Sequence, residues 1–269
     1  PFIFFKNKII KSNIIFSVLF LLIFIGNYFY GSHKINNSKY NFDRNIYVKI
    51  VSPNFSMKDY RSNSELEQLE RLIKISEPTK DRKTLFIWPE GVFSGYSYEE
   101  ILIFKELIKK NFSKKHFIIF GVNRLDQKSG NYYNSMLIVN NNFKIIQSYN
   151  KRKLVPFGEF LPFENFLHNF GFKKITEGYG SFLRGDKDNN ISINKINFLP
   201  LICYEVIFTE LIQKSNLDTN LIINISEDGW FGKSIGPDQH FTKSIFRAIE
   251  NNTFLLRSAN KGISAIIDN

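Results

Sequence analysis

The sequence predicts an α/β domain whose sheets are covered by helices, preceded by one membrane-spanning helix. Three observations predict it. Composition shifts sharply near residue 40, from an uncharged apolar run to an ordinary globular mixture. Beyond that point, short β-branched apolar runs alternate with segments of helical periodicity. Two of the helical segments open with paired Ser and Glu side chains suited to capping a helix. Such an alternation calls for sheets with helices packed on their faces.

The first element is the run at 14–25, IIFSVLFLLIFI, in which Ser17 is the one polar residue. With Gly26, Asn27, Tyr28, Phe29 and Tyr30 it is long enough to cross a bilayer. Lys6, Lys8 and Lys11 precede it, and the aromatic cluster sits at its far end, as at a membrane interface. A secretory signal peptide has a similar start, but no small-x-small cleavage site follows; the chain continues Tyr-Phe-Tyr-Gly-Ser-His. The reading is a membrane segment over 1–40 with its helix over about 13–30. Its basic flank places the N-terminus in the cytoplasm and everything after residue 30 outside the inner membrane.

The second part, 41–269, carries strand-like runs at 46–51, 85–88, 117–120, 136–139, 144–146, 198–203, 221–225, 254–256 and 263–267. Between them, Ser62-x-x-Glu65 reads as a capping box ahead of Leu66, Leu69, Leu72 and Ile73 on one face. Ser97-x-x-Glu100 repeats the device ahead of Ile101, Phe104 and Ile108. A third helix is expected after Cys203 and a fourth over about 239–251. The Gly-, Phe- and Asn-rich segment 158–195 reads as long loops with room for one short helix.

Composition bounds the chemistry. With 43% hydrophobic and 23% charged residues, the chain is not disordered. Lys and Arg exceed Asp and Glu by 36 to 25, a net charge of +11, but they are scattered and form no stripe. The surplus therefore reads as a Lys-, Asn- and Ile-rich composition with a face near anionic lipid, and no nucleic-acid partner is expected. Cys203 is the only cysteine, which excludes an internal disulfide and a Cys-based zinc site. His33, His116, His168 and His240 are too dispersed to suggest a metal cluster, and no cofactor is expected.

Several reactive side chains fall at the ends of strand runs. Cys203 closes Leu-Pro-Leu-Ile-Cys and precedes a helical pattern beginning near Val206, where backbone amides are free to meet an oxyanion. Taken alone, such a cysteine is more commonly an inert buried thiol. Glu90 follows Trp88-Pro89 at the carboxyl end of another run, where α/β sites collect; its plain alternative is a solvated loop charge. Lys151 closes a third run, and Glu159 lies eight residues later across a Leu-Val-Pro-Phe-Gly turn; alone, the pair reads as a solvated face. Together a Glu, a Lys and a Cys supply a base, an electrostatic catalyst and a nucleophile.

The set Trp88-Pro89-Glu90, Lys151 with Leu-Val-Pro-Phe-Gly-Glu159, and Ile-Cys203-Tyr204-Glu205 resembles the nitrilase (carbon–nitrogen hydrolase) superfamily. Asp228-Gly-Trp230-Phe231-Gly232-Lys-Ser234 with Gly236-Pro237-Asp-Gln239-His240, and Arg257-Ser-Ala-Asn260-Lys-Gly262-Ile-Ser264-Ala, narrow the resemblance to the apolipoprotein N-acyltransferase family. It runs from about residue 45 to the end. The resemblance implies a nitrilase-like α-β-β-α sandwich, two packed sheets flanked by helices. It implies Cys203 as nucleophile, Glu90 as general base, and Lys151 with the Tyr204 amide as oxyanion stabilisers. Glu159 and Glu205 match family glutamates that position the lysine and shape the pocket.

What the resemblance implies functionally is a two-step transfer. Cys203 takes an acyl chain from a membrane phospholipid, and the amine of a diacylglyceryl-modified lipoprotein cysteine then takes it from the thioester. The implied setting is a monomer in the bacterial inner membrane with its catalytic domain on the periplasmic side.

Some features depart from the family. It usually carries several membrane helices before this domain and one after it; with Pro1 in place of Met, the expectation is a chain cut at both ends. The usual Trp is missing from Asn54–Tyr60, the Gly-Val-Phe-Ser-Gly stretch after Glu90 lacks the Thr/Ala-rich form, and Glu227 stands where Asn is more usual. A nitrilase-type amidase would use the same three residues without needing 14–30. A basic membrane-tethered binding domain would not bring the three together. The loop residues Phe157, Phe160, Phe163, Phe166, Phe170 and Phe172 read equally as lipid-dipping or core-filling.

Overall fold

The computed structural model describes residues 2–37, 46–56, 59–60, 64–93, 95–162, 181–186, 190–193, 196–213, 219 and 221–268. The chain divides into two compact units, Pro1–Asp43 and Arg44–Asn269. The first holds one helix, α1 (Phe2–Asn36), longer at both ends than the apolar run alone requires. An 18-residue window within its Ser12–Asn36 stretch has a mean hydropathy of 2.1, and the stretch is long and apolar enough to cross a membrane. At 1.5 Å per residue those residues rise about 37 Å, against about 30 Å of hydrocarbon. Along 14–25 apolar side chains surround the helix instead of lining one face, as lipid contact requires.

The second unit is built from two five-stranded mixed sheets. One contains β1 (Tyr47–Ile50), β2 (Thr84–Ile87), β3 (His116–Leu125), β4 (Tyr132–Asn140) and β5 (Ile145–Asn150), side by side in that order. The other contains β6 (Ile191–Ile193), β7 (Ile196–Ile202), β8 (Leu221–Glu227), β9 (Phe254–Asn260) and β10 (Ala265–Ile267). In the first, β1, β2 and β3 are parallel and only β4 is reversed, so β2 and β5 end on the same edge. In the second, β7, β8 and β9 are parallel between antiparallel edge strands.

Alternation along the strands makes the layers. Leu85, Ile87, Ile119, Met136 and Ile138 of the first sheet meet Phe198, Ile202, Ile223, Ile225 and Leu256 of the second in one buried cluster. The intervening residues Phe86, Ile118, Phe120, Leu137 and Val139 face the other way, onto Leu69, Leu72 and Ile73 of α2 (Glu65–Ser76) and onto Ile101 and Ile108. Leu199, Leu201, Ile222 and Leu255 likewise pack on α5 (Thr209–Gln213) and α6 (Gly236–Asn251). Each such side chain contributes about 1.5–3 kcal/mol when removed from water. The architecture is the helix–sheet–sheet–helix sandwich that the resemblance implies.

Details differ from the sequence reading. The first capping box uses Ser64 and Glu67, two residues later: Ser64 Oγ accepts from the Glu67 amide and Glu67 Oε2 accepts from the Ser64 amide. Ser62 lies outside the described residues, and Leu66, expected on the buried face, is 45% exposed. The Ser97–Glu100 box forms as read, but its helix breaks into α3 (Tyr98–Ile101), a 3-10 turn and α4 (Lys105–Asn111). The helix expected after Cys203 is a 3-10 turn, Cys203–Ile207, followed by the short α5. Strand β6 falls in the segment read as loop, because an edge strand of three residues leaves almost no periodic signal.

Candidate active site

Glu90, Lys151, Glu159, Cys203 and Tyr204, five of the six residues singled out by sequence, line one cavity of about 530 Å³. The volume suits a ligand of ordinary size. Three of these residues arrive from a strand's carboxyl end: Glu90 beyond β2, Lys151 directly after β5 and Cys203 directly after β7.

Cys203 is held in an unusual backbone conformation. Its φ of 50° lies in the left-handed region, which costs an L-residue on the order of 1 kcal/mol. Its carbonyl accepts from His240 Nε2 at 3.0 Å and from Asn224 Nδ2 at 3.4 Å. A carbonyl only accepts, so Nε2 carries a proton here. Behind it Asp228 lies 2.9 Å from His240 Nδ1 and 2.8 Å from Arg257 Nη2, all three buried. Burial acts to raise the Asp228 carboxyl, but His240 and Arg257 outweigh it and hold it below the usual range. The Cys203 thiol has Ser226 Oγ at 3.5 Å. Burial and the Glu90 charge push that thiol up, while the Lys151 ammonium favours the thiolate.

Lys151 is the hub of the charges. Its side chain is 1% exposed, and Nζ lies 2.8 Å from Glu159 Oε1 and 3.5 Å from Glu90 Oε1. Burial alone would lower this ammonium's pKa; Glu159 and Glu90 reverse the effect and raise it, so the lysine stays charged. Asn134 of β4 donates from Nδ2 to Glu90 Oε1 at 2.8 Å and to Glu159 Oε1 at 2.7 Å. The other oxygen of Glu90 accepts from the Glu227 amide at 3.1 Å, and that of Glu159 from the Val155 amide at 2.9 Å.

Glu205 stands behind the cavity. Its carboxylate accepts from Tyr149 Oη, from the Arg152 and Lys153 amides and from the Ile202 amide. It thereby pins the exit of β5, which carries Lys151, to the exit of β7, which carries Cys203. Burial raises its pKa against those amides and Lys151.

The sequence reading missed Asn134, whose one signal is that it and Ser135 are polar residues leading into the apolar buried run Met136–Val139. It also set His240 aside as dispersed, although the fold places it beneath Cys203. Of the loop phenylalanines, Phe157 is 44% exposed and Phe160 half-buried; Phe163, Phe166, Phe170 and Phe172 lie outside the described residues. Phe93, Phe182 and Phe231 line the cavity together with Trp230, which is 58% exposed. Among the described residues no group of three His, Cys, Asp or Glu is placed to hold a metal ion.

A thiol beside a carboxylate and an ammonium, with backbone amides following the thiol, is equipped for acyl transfer through a covalent thioester. Comparison with known proteins agrees at the level of family. The carbon–nitrogen hydrolase family matches residues 58–269. The apolipoprotein N-acyltransferase of Rhodopseudomonas palustris is 34% identical over 83% of this chain and 44% of its own length. That of Rickettsia prowazekii is 34% identical over 94% of this chain and 50% of its own. The chain thus spans about half the length of the curated relatives it matches.

Among solved structures, Saccharomyces cerevisiae Nit3, a member of branch 10 of the nitrilase superfamily, has a TM-score of 0.53 at 20% identity, covering 79% of this chain and 74% of that one. A CN-hydrolase superfamily protein of Xanthomonas campestris has a TM-score of 0.56 at 17% identity, covering 82% of each chain. These two show a shared fold. The chain belongs to the carbon–nitrogen hydrolase family.

Proposed function

We propose that this chain is the catalytic part of a membrane N-acyltransferase, which moves an acyl chain from a phospholipid to the N-terminal amine of a diacylglyceryl-cysteine lipoprotein. The observation that carries the reading is the convergence of Glu90, Lys151 and Cys203 on one cavity lined partly by aromatic side chains. Its similarity to apolipoprotein N-acyltransferases over more than four-fifths of the chain supports the choice of substrates.

In the first step Glu90 takes the Cys203 proton and the thiolate attacks the phospholipid ester carbonyl. The tetrahedral oxyanion is met by Lys151 Nζ and the Tyr204 amide. The C–O bond then breaks, the lysophospholipid oxygen takes the proton back from Glu90, and a thioester remains on Cys203. In the second step the lipoprotein amine attacks that thioester, the C–S bond breaks, and the amide product leaves. A site held at the bilayer surface by α1 avoids lifting acyl chains into water, at about 0.8 kcal/mol per CH₂. In this reading the chain sits in the bacterial inner membrane with the catalytic unit on the periplasmic side, as the basic flank of α1 favours.

The test is to incubate the chain with acyl-labelled phosphatidylethanolamine vesicles and look for label on Cys203 as a hydroxylamine-sensitive thioester. Cys203→Ala should carry none. An unlabelled wild-type chain that instead hydrolyses small amides would establish the amidase reading.

A further inference from the structure

Glu227, the last residue of β8, also lines the cavity, and the two-step reaction gives it no task. It is 7% exposed. Its Oε1 accepts from the Gly229 amide at 2.8 Å, and its Oε2 from Asn260 Nδ2 at 2.7 Å and Tyr60 Oη at 3.2 Å. All three partners are neutral donors. They fill three of about four acceptor positions on a carboxylate and leave one. It is tied to the catalytic set through Glu90, whose Oε2 accepts from the Glu227 amide. Glu227 also packs where Gly91 has no side chain: a Cβ there would stand 2.9 Å from Glu227 Oε2.

Two balances bear on its role. The first is charge. Glu90, Glu159 and Glu227 bring three carboxylates to the cavity lining, and Lys151 is the one cation among the described lining residues. A buried carboxylate bonded only to neutral donors attracts a cation or takes up a proton. Burial indeed pushes the Glu227 carboxyl up to about 7. The second balance is of protons. A primary amine enters at neutral pH as R–NH₃⁺ and leaves as an amide N–H, so its nitrogen sheds two protons. One of them converts the departing Cys203 thiolate into a thiol, by way of Glu90. The other needs a second acceptor.

We infer that Glu227 binds the ammonium group of the acceptor substrate and takes its first proton, releasing the free amine that attacks the thioester. The inference rests on the acyltransferase reading above and adds the recognition of its second substrate. The full step is R–NH₃⁺ plus thioester giving amide, Cys203 thiol and one proton, which passes from Glu227 to water. An enzyme that delivers water to the thioester has no cation to bind and no need of this carboxylate.

The test separates two nucleophiles acting on the same thioester. The full chain, wild type or Glu227→Gln, is loaded with labelled acyl groups from phosphatidylethanolamine vesicles and then chased at pH 7. One chase uses a diacylglyceryl-cysteine lipopeptide, an ammonium at that pH. The other uses hydroxylamine, which is neutral there and needs no deprotonation before attack. The expected result is that Glu227→Gln slows the lipopeptide chase at least tenfold more than the hydroxylamine chase. Glu227→Ala, a second variant of different size, should show the same selective loss; acquisition of label certifies that either variant is folded. Equal slowing of both chases, or no slowing, overturns the assignment of Glu227 and leaves the acyltransferase reading intact. A wild-type chain that acquires no label overturns that reading and this inference with it.

Discussion

The side-chain amide of Asn134 and the carboxylate of Glu90 are joined at 2.8 Å, and the same nitrogen reaches Glu159 at 2.7 Å. Both carboxylates also face the Lys151 ammonium, so one cation and one amide hold two like charges together in a buried cavity. Asn134→Leu removes both donors at once. A hydrogen bond to a charged group contributes about 1.5–3 kcal/mol, so thioester formation should fall roughly 10- to 100-fold per bond lost. Asn134→Asp should be worse, because it sets a further carboxylate directly against Glu90 and Glu159. Single-turnover labelling of Cys203 checks this; an Asn134→Leu rate within twofold of wild type refutes the role.

Lys151→Met should cost stability as well as activity. It leaves Glu90 and Glu159 buried without their cation, and breaking a buried ion pair from one side costs about 3–5 kcal/mol. Denaturant unfolding of wild type and variant at neutral pH measures the deficit, and a variant as stable as wild type contradicts the account.

How far the sequence carried these conclusions depends on what kind of signal each residue leaves. Glu90, Lys151 and Cys203 stand next to strand ends within Trp-Pro-Glu, Lys…Pro-Phe-Gly-Glu and Ile-Cys-Tyr-Glu, so their place at sheet edges is legible locally, while the resemblance those motifs carry selects them as a set and implies the two packed sheets. Asn134 is different. It sits inside β4, and only the antiparallel register that sets it opposite Asn123 of β3 brings it over Glu90. His240 reaches Cys203 from a helix 37 residues later, a long-range contact no spacing encodes. The slip between Ser62 and Ser64 has a local cause: Ser-Asn-Ser-Glu-Leu-Glu holds two overlapping capping boxes, and packing of Leu69, Leu72 and Ile73 decides between helix starts that local sequence leaves balanced.

Replacements of Cys203 should rank by backbone conformation. Glycine adopts a φ of 50° without penalty, whereas alanine pays about 1–2 kcal/mol there. In ordinary helix or strand positions the order is reversed, with glycine less stable by about 0.5–1 kcal/mol. Cys203→Gly should therefore be at least as stable as Cys203→Ala in thermal unfolding, although neither forms a thioester. A clearly less stable glycine variant contradicts the left-handed conformation.

Glu227 should give stability a distinctive pH dependence. Its carboxyl lies up at about 7 in the folded chain, against an ordinary value of 4.5, chiefly because of burial. A group whose folded pKa is raised binds its proton more tightly when folded. Its stabilising contribution is therefore complete below 4.5 and disappears as pH climbs through 7. The slope approaches 1.4 kcal/mol per pH unit in between, for a total on the order of 3 kcal/mol. Glu227→Gln lacks this titration, while groups that do not interact with Glu227 titrate alike in both proteins and cancel in the difference. Relative to wild type, the variant should gain stability steadily from pH 4.5 to 7.5. Unfolding measured across that range in one detergent decides the matter, since a flat difference would mean that Glu227 does not hold its proton more tightly in the folded chain.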